Sequence, residues 1–408
     1  MKFCFTLFLL MWSFLTYAQS GKRIKLKKGV WIAQLLLNEV DKLPFQLEIG
    51  DNFSFTVING DERITLSAPE VKNDSIHVRF PYFNSELVFA SHQKQHLSGY
   101  WINFNKGTNY RIPFQANYGA GPRFPSPEDP SHSCAVNGRW KVAFEPGTDS
   151  EYPAVGIFDQ SSGSNRVFGT FLTETGDYRF LEGNCTPDSL YLSCFDGSHA
   201  FLFKARKSDD QLNGQFFSGK HWHCDWNASM NATFELPSPE KLTYVKNNEG
   251  VHFNLKTLTG EDFTFPNPEF KGKVVIIQIM GSWCPNCLDE TQYYKNLYSS
   301  YHDSGLEIIS IGYETGESFT DYAANITRLK NKLDLEFTFL VGGAANKGLA
   351  SEHFKVLNEV ISFPTSIFIG RDGEVKRVHT GFNGPGTGSY YLEYVEKTNA
   401  LIQTLLNQ

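Results

Sequence analysis

The hydrophobic periodicity of this chain changes once, at Leu236-Pro237-Ser238-Pro239, and that change separates two kinds of structure. Before it, residues 24–236 alternate apolar and polar side chains in short segments, such as the one at 53–58, which ends at the turn residues Asn59-Gly60. A period of two with hairpin turns is typical of β-strands, and no segment there carries a sustained helical period. The sequence therefore predicts an all-β N-terminal region.

After Pro239 the pattern alternates between strands and helices. Residues 274–280 are apolar except for Gln278, as expected of a strand that is covered on both faces. The pattern predicts helices over 287–301, 318–333, 344–356 and 389–406, and strands over 306–312, 337–341, 365–369 and 374–379. The C-terminal part is therefore predicted to be an α/β domain, and the chain to be multidomain.

The β region contains two pairs of similar segments at nearly the same spacing. Residues 74–78 match 188–192 and residues 97–101 match 212–216, at offsets of 114 and 115, while Trp31 and Trp140 open the two stretches. Matches at nearly one offset favour duplication of a unit, although hairpins that resemble one another by chance are the alternative. We expect duplicated barrel or sandwich units over 19–127 and 128–239, joined at the proline-rich stretch 122–130, with the α/β domain over 240–408.

The first residues have the pattern of a secretory signal. Lys2 supplies a positive end, an apolar run covers 3–15, and Ala18 offers a small residue for cleavage before Gln19. The run is shorter than the roughly 20 residues that span a bilayer. We therefore predict a cleaved signal peptide over 1–18 and an exported, periplasmic or extracytoplasmic protein, with a membrane tether only if the segment stays uncleaved.

The net charge of the chain bears on its binding partners, and its cysteine content bears on the disulfides that it can form. The formal net charge of −7 gives no general attraction for nucleic acid, so none is expected as a partner. Export permits disulfides, and four cysteines lie in the β region: Cys134, Cys185, Cys194 and Cys224. One or two structural bridges are expected, and the sequence does not choose among the three connectivities of four paired cysteines.

The motif Cys284-Pro285-Asn286-Cys287 lies between the apolar strand and the following helix. A cysteine at a helix N-terminus faces unpaired N–H groups and the positive end of the dipole, which stabilise its thiolate. Cys284 is thus predicted to be the nucleophile, and Cys287, one turn along, to resolve the mixed disulfide. The alternatives are a structural bridge, which would constrain little across so short a loop, and a zinc site, for which no second C-x-x-C exists.

At these residues the sequence resembles the exported thioredoxin-like reductases of the TlpA/ResA type. The resemblance runs from Val251 to the C-terminus and is carried by segments at 259–261, 270–275, 283–287, 363–365 and 372–373. It implies a thioredoxin-like fold with an extra N-terminal hairpin and an insertion after the second strand. It also implies that Pro364 follows a cis peptide bond and faces the two cysteines.

Four residues are expected to contact substrate. A cis bond before Pro364 would leave the backbone of Phe363 open beside the active site, where an extended substrate could pair with it; an ordinary turn is the alternative. Trp283 is expected to give an apolar contact surface, with simple packing as the alternative, and Pro285 lies between the cysteines.

Two polar residues near the motif bear on proton transfer, and the first of them is a departure from thioredoxin. Gln278 stands six positions before Cys284, where thioredoxin has an acidic residue, and an amide cannot relay a proton. The reductase branch often carries a neutral amide there. Glu290 is then the nearest titratable residue that could assist catalysis, and a solvated side chain in the first turn of the helix is its alternative.

A metal site was weighed in the β region and set aside. His221-Trp222-His223-Cys224, with Cys194 and His199, has suitable ligand types, yet histidines in an aromatic strand are usually packing or surface residues. We expect no metal and no cofactor beyond the redox-active cysteine pair.

The leading hypothesis is an exported protein disulfide reductase, supplied by an upstream thiol donor, with Cys284 and Cys287 as its redox pair. A partner- or ligand-binding protein dominated by the β region is the first alternative. A thiol peroxidase is the second, and it is disfavoured because position 281, where peroxiredoxins have the threonine of Thr-x-x-Cys, is glycine. The sequence does not fix the direction of electron flow.

Overall fold

The computed structural model describes residues 26–92, 94–107, 109–124, 134–160, 163–247 and 249–408. The predicted signal peptide over 1–18 lies outside these residues, as do residues 125–130 of the proline-rich linker. No helix within the described ranges combines the length and apolar character needed to cross a membrane.

The first part of the chain forms a nine-stranded sheet of antiparallel neighbours. Its spatial order is β4-β3-β2-β1-β9-β8-β7-β6-β5, so the first and last strands pair in the middle and the sheet has two free edges. The strands are β1 (Gly29–Leu36), β2 (Lys42–Ile49), β3 (Phe55–Asn59), β4 (Glu62–Thr65), β5 (Glu70–Lys72), β6 (Ser75–Arg79), β7 (Ser85–His92), β8 (His96–Asn103) and β9 (Arg111–Tyr118). Alternate residues of β1, including Trp31, Ala33 and Leu35, are buried, which is the predicted period of two.

The second sheet also has nine strands, and it closes into a barrel because β12 pairs with β11 as well as with β14. Its strands are β10 (Gly138–Phe144), β11 (Tyr152–Asp159), β12 (Arg166–Thr173), β13 (Gly176–Asp177), β14 (Leu181–Thr186), β15 (Ser189–Phe195), β16 (Ala200–Ser208), β17 (Gln211–Ser218) and β18 (Trp222–Met230). Its interior is filled by aromatic rings, among them Phe144, Phe171, Phe203 and Trp226. We call this sheet the barrel.

The predicted all-β N-terminal region is confirmed, and the two pairs of similar segments occupy corresponding strands. The two matches fall on β6 with β15 and on β8 with β17. Trp31 on β1 and Trp140 on β10 each donate their indole N–H to the carbonyl four residues earlier, that of Lys27 at 3.1 Å and that of Val136 at 2.9 Å. Duplication and the domain boundaries remain predictions that these shared positions support.

The C-terminal part is the predicted thioredoxin-like α/β domain. Its sheet has the order β20-β19-β23-β22-β21-β24-β25, in which β21 lies between a parallel and an antiparallel neighbour. The strands are β19 (Phe253–Thr257), β20 (Asp262–Phe265), β21 (Val274–Met280), β22 (Leu306–Glu314), β23 (Thr338–Ala344), β24 (Thr365–Ile369) and β25 (Val375–Thr380). The helices are α1 (Pro239–Leu242), α2 (Pro285–Tyr301), α3 (Phe319–Leu333), α4 (Lys347–His353) and α5 (Ser389–Leu406).

Helix and strand positions in this domain agree with the periodicity, most clearly at the central strand β21. Every residue of β21 is buried, including Gln278. Helix α3 begins at a capping box between Ser318 and Asp321, a local signal that the sequence carries in full. The short helix α1 was not predicted, and four residues are too few to show a helical period.

One disulfide is formed in the barrel region. Cys134 and Cys185 are bonded, with their Cα atoms 5.6 Å apart, while Cys194 and Cys224 are buried free thiols. The bridge ties the segment that enters the barrel to β14. The sequence predicted one or two bridges without choosing the pairing. Among the described cysteines the structure has one bridge, between Cys134 and Cys185.

Candidate active site

Cys284 is the N-cap of helix α2. Its backbone is extended (φ −96°, ψ 116°), Pro285 begins the helix, and the Cys284 Sγ accepts a hydrogen bond of 3.2 Å from the Cys287 backbone N–H. Proline suits the first helical position because its missing N–H would have had no partner there. The sulfur therefore lies where unpaired N–H groups and the helix dipole favour negative charge.

The two cysteines of the motif differ in exposure. Both are free thiols, and Cys284 is 7% exposed whereas Cys287 is fully buried. Burial, together with the neighbouring Cys284, raises the pKa of the Cys287 thiol well above its usual value. Cys284 is therefore the more accessible of the two sulfurs, and burial favours the protonated form of Cys287.

The loop before β24 faces the first cysteine. The Phe363–Pro364 peptide bond is cis, and the Cys284 thiol donates to the Phe363 carbonyl oxygen at 3.6 Å. The Trp283 ring lies edge-on to Phe363, with centroids 6.2 Å apart, and its indole N–H donates to the Tyr313 carbonyl at 2.9 Å. Three of the four expected substrate contacts, Trp283, Pro285 and Phe363, thus line one cavity with Cys284, and Pro364 follows Phe363 in the chain. Phe363 and Pro364 are themselves buried.

Glu290 lies beneath the cysteines and is fully buried, so the solvated side chain weighed as an alternative is not what the structure contains. Its carboxylate accepts hydrogen bonds from Gln278 Nε2 (2.9 Å), Ser366 Oγ (3.1 Å), Tyr294 OH (3.1 Å) and Tyr394 OH (3.3 Å). Burial raises the pKa of Glu290 to about 7, although these donors act in the opposite direction. A proton can thus be gained or lost there near neutral pH.

A second buried carboxylate holds the segment just before the motif. Glu314, at the end of β22, accepts from the Ser282 backbone N–H at 2.7 Å and from its hydroxyl at 2.6 Å. Burial raises the pKa of Glu314 to about 7. Sequence reasoning missed this residue, because a glutamate at a strand end looks like any other until the fold places it beside residue 282.

The barrel supplies further residues to the site. Asn286, the second residue of α2, donates from Nδ2 to the Asp177 carbonyl (3.3 Å) and the Phe382 carbonyl (3.1 Å). The Ser198 hydroxyl donates to the Trp283 carbonyl at 2.9 Å. Sequence reasoning missed these partners, since they lie about a hundred residues from the motif and no spacing rule joins them.

Arg179 links the barrel to the first sheet and to helix α2 behind the motif. Its guanidinium pairs with Glu62 of the first sheet at 2.5 Å, with Asp196 of the barrel at 3.7 Å, and with Asp289 of α2. Although burial acts against it, the surrounding carboxylates raise the pKa of Arg179 well above its usual value. Burial raises the pKa of Asp289 to about 7 against the effect of Arg179. No sequence pattern pointed to this cluster.

A cavity of about 280 Å³ opens onto Cys284. Trp283, Pro285 and Phe363 line it from the α/β domain, and Thr175, Tyr178 and His199 line it from the barrel. The barrel therefore forms one wall of the space in front of the reactive sulfur.

The residues weighed for a metal do not converge. Among the described residues, no group of three or more His, Cys, Asp or Glu side chains is arranged to hold a metal ion. His221 instead contacts Tyr110 OH and Lys106 Nζ, each at 3.0 Å, and burial with the nearby lysine lowers its pKa to about 4. His223 stacks on Phe217.

Comparison with known proteins agrees with the geometry of the motif. A family model described as Redoxin matches residues 246–393. Thiol-disulfide oxidoreductase ResA of Bacillus thuringiensis subsp. konkukian is 33% identical over 158 residues, which cover 39% of this chain and 80% of the relative. The protein of that name from Halalkalibacterium halodurans is 30% identical over 135 residues, which cover 33% of this chain and 67% of the relative.

Among solved structures, the crystal structure of StoA from Bacillus subtilis aligns with 37% of this chain and 99% of its own, at 21% identity and a TM-score of 0.27. The Redoxin match falls within the C-terminal part of the chain, where the sequence resemblance was found. Through that domain, the chain belongs to the ResA family of thiol-disulfide oxidoreductases.

Proposed function

We propose that the protein is exported and exchanges disulfides through Cys284 as nucleophile and Cys287 as resolving thiol. The observation that carries the proposal is the N-cap position of the Cys284 sulfur, which accepts the Cys287 N–H while facing a cavity. A thiolate is the reactive form in exchange, and a helix N-terminus stabilises it. The complete burial of Cys287 supports the division of roles.

The reaction proceeds in two displacements. The Cys284 thiolate attacks one sulfur of a substrate disulfide, forms a mixed disulfide, and releases the other sulfur as a thiolate. Cys287 then loses its proton and attacks the Cys284 sulfur, which forms the Cys284–Cys287 disulfide and releases the second substrate thiolate. The substrate gains two electrons, and an upstream dithiol donor restores the reduced pair.

Glu290 is the group that we assign to proton transfer in the second displacement. Cys287 is buried with a raised pKa, so its proton needs an acceptor when it attacks. The pKa of Glu290 is about 7, and its charge is among the causes that raise the pKa of Cys287. A carboxylate that gains a proton near neutral pH suits that role.

Trp283, Pro285, Phe363 and Pro364 are proposed to contact the substrate around the reacting sulfur. They border Cys284, and three of them, Trp283, Pro285 and Phe363, line the cavity in front of it. Their apolar surfaces would exclude water from the exchanging sulfurs and leave the Phe363 carbonyl as a polar contact at the site.

Turnover of a disulfide substrate with dithiothreitol as donor tests the exchange. Cys284→Ser is expected to abolish turnover. Reduced Cys287→Ser, mixed with the substrate after the dithiothreitol has been removed, is expected to retain the first displacement and accumulate mixed disulfides on Cys284. Mass spectrometry of the trapped adducts gives the site of attachment. Unchanged turnover in Cys284→Ser would sink the proposal.

Export is tested separately by the start of the mature protein. The apolar run over 3–15, followed by Ala18, supports cleavage before Gln19. Terminal sequencing of the protein from an extracytoplasmic fraction is expected to begin at Gln19. Recovery of a chain that still begins at Met1 from the cytoplasmic fraction would contradict export.

A further inference from the structure

The barrel closes over the side of Cys284 from which a large substrate would approach. The hairpin between β12 and β13 reaches the loop before β24, where the Ser362 hydroxyl donates to the Thr175 carbonyl at 3.2 Å. Ser198, from a neighbouring barrel loop, holds the Trp283 carbonyl from the other side. Trp283, which precedes the motif, and the loop opposite the motif are therefore both in contact with the barrel.

Two glycines allow the hairpin to lie against the α/β domain without space between them. A Cβ on Gly381 would lie 2.7 Å from the Thr175 carbonyl carbon, and a Cβ on Gly176 would lie 2.2 Å from Asn286 Nδ2. Both distances are shorter than real Cβ contacts. The hairpin therefore occupies the space beside the cis-proline loop, where an added substrate strand would have to run.

Among the described residues, a cavity of about 280 Å³ between the barrel and the α/β domain reaches Cys284. That volume is just below the range of about 300–1,000 Å³ typical of sites for small organic ligands. Cys284 itself is 7% exposed. Barrel residues Thr175, Tyr178 and His199 form one wall of this space. We therefore expect that a disulfide on the surface of a folded protein reaches Cys284 only if the barrel moves.

We propose that the barrel restricts this active site to low-molecular-weight disulfides. The proposal rests on the exchange function above and narrows its substrate class from the protein disulfides that the sequence led us to expect. In the first displacement, the Cys284 thiolate attacks the small disulfide within the cavity and releases one thiolate through its opening. The second displacement by Cys287 needs no movement of the barrel.

The first test compares two disulfides on the unaltered full chain. Rate constants are measured for oxidation of the reduced protein by hydroxyethyl disulfide, which is small and uncharged, and by insulin, and each is divided by the constant for dithiothreitol with the same disulfide. We expect the normalised rate constant for hydroxyethyl disulfide to exceed that for insulin roughly a hundredfold. This factor corresponds to a protein in which the barrel has moved away from Cys284 in only about 1% of molecules. Equal normalised constants would overturn the proposal.

A pair of glycine variants tests whether the barrel causes the selectivity. Gly381→Ala places a methyl group against Thr175, whereas Gly272→Ala has nearly the same backbone conformation (φ 74° against 73°) with nothing within 4 Å. Gly381→Ala is expected to reduce the preference for the small disulfide roughly tenfold, since it weakens closure of the barrel. Gly272→Ala is expected to keep the full preference for the small disulfide. An equal loss of preference in both variants would show that the barrel does not cause the selectivity.

Alkylation of Cys284 gives a measurement that needs neither turnover nor a barrel variant. In folded Cys287→Ser protein, iodoacetamide is expected to modify Cys284 much faster than a polyethylene glycol maleimide does, relative to their rates with free cysteine. Equal relative rates would overturn the proposal. Failure of the exchange function has a different signature, because then neither disulfide reacts in a manner that depends on Cys284.

Discussion

The side-chain amide of Gln278 donates a hydrogen bond of 2.9 Å to the carboxylate of Glu290. The amide oxygen of Gln278 accepts in turn from Ser310 Oγ at 2.7 Å, which fixes the orientation of the amide. The neutral residue on β21 therefore holds the titratable residue of α2 in place. Thioredoxin carries an acid at this strand position. Here Gln278 occupies the position, and the Glu290 carboxylate of the helix lies beside Gln278.

Glu290→Gln is expected to change the pH dependence of the resolving step. With the pKa of Glu290 near 7, its ionised form increases as the pH rises through about 7, and the rate of attack by Cys287 should rise with it. The glutamine cannot accept a proton, so the rise should shift to the higher pH at which the Cys287 thiol ionises unaided. Stopped-flow measurement of mixed-disulfide resolution against pH follows this change.

Ser366→Ala is the matched control for that measurement. It removes one neutral donor to Glu290 but leaves the carboxylate. The inflection should persist and move slightly to higher pH, because a hydrogen bond to the ionised form has been lost. An inflection near pH 7 that survives in Glu290→Gln would show that another group carries the proton.

Glu314→Gln is expected to change how the free energy of unfolding depends on pH. The folded pKa of Glu314 is raised from 4.5 to about 7, so its contribution is full below the unfolded pKa and is lost as the pH rises through the folded one. The glutamine can keep both contacts with Ser282 by accepting from the N–H and donating to the hydroxyl. Relative to the wild type, the variant should gain up to roughly 3 kcal/mol between about pH 4.5 and pH 8.

Urea unfolding of the two proteins at matched pH gives the difference directly. The comparison is needed because buried histidines act in the opposite sense: burial lowers the pKa of His379 to about 3. That effect is common to both proteins and cancels. A difference in stability that stays constant across this pH range would contradict the raised pKa of Glu314.

The secondary-structure elements and the cysteine motif could be predicted from the sequence. The contacts between domains could not. Strand β21 and helices α2 and α5 follow from unbroken apolar or helical periods, and Cys284 follows from its place between strand and helix. Each of these depends on residues within a few positions of one another. The prediction of fold class succeeded for the same reason.

Contacts that join distant segments gave no sequence signal. Asn286 between two cysteines looks like a neutral spacer, and only the fold brings it to Asp177 of the barrel. Arg179 is an isolated arginine in a β segment, and its carboxylate partners come from the first sheet, the barrel and helix α2. Closure of the barrel by β11 and β12 was also unreadable, since alternation fixes the faces of a strand but not its neighbours.

Removal of the Cys134–Cys185 bridge is expected to destabilise the barrel. The cysteines are 51 residues apart, and a loop of that length restricts the unfolded chain by about 4 kcal/mol in the chain-entropy account. The double variant Cys134→Ala/Cys185→Ala should lose a free energy of unfolding of that order. Cys224→Ala, which removes a buried free thiol, is the control and should lose much less.

Urea unfolding followed by barrel tryptophan fluorescence measures both variants. Dithiothreitol added to the wild type should reproduce the loss seen in the double variant and leave that variant unchanged. A double variant as stable as Cys224→Ala would contradict a structural role for the bridge.

Arg179→Gln is expected to be the most destabilising of the variants discussed. The Arg179 side chain is 5% exposed and lies among Glu62, Asp196 and Asp289, so its loss leaves buried carboxylates without a positive partner. Breaking a buried ion pair by removing one member typically costs about 3–5 kcal/mol. Since the partners belong to the first sheet, the barrel and helix α2, the unfolding transition should become less cooperative and its midpoint should move to lower urea concentration.

Arg63→Gln is the control for charge alone. Its pair with Glu48 spans 3.4 Å at the surface, with 60% of the Arg63 side chain exposed, and such pairs contribute little. Urea unfolding followed separately by barrel and α/β-domain probes should give coincident transitions in Arg63→Gln and separated ones in Arg179→Gln. Coincident transitions with an unchanged midpoint in both variants would mean that Arg179 does not join the sheets.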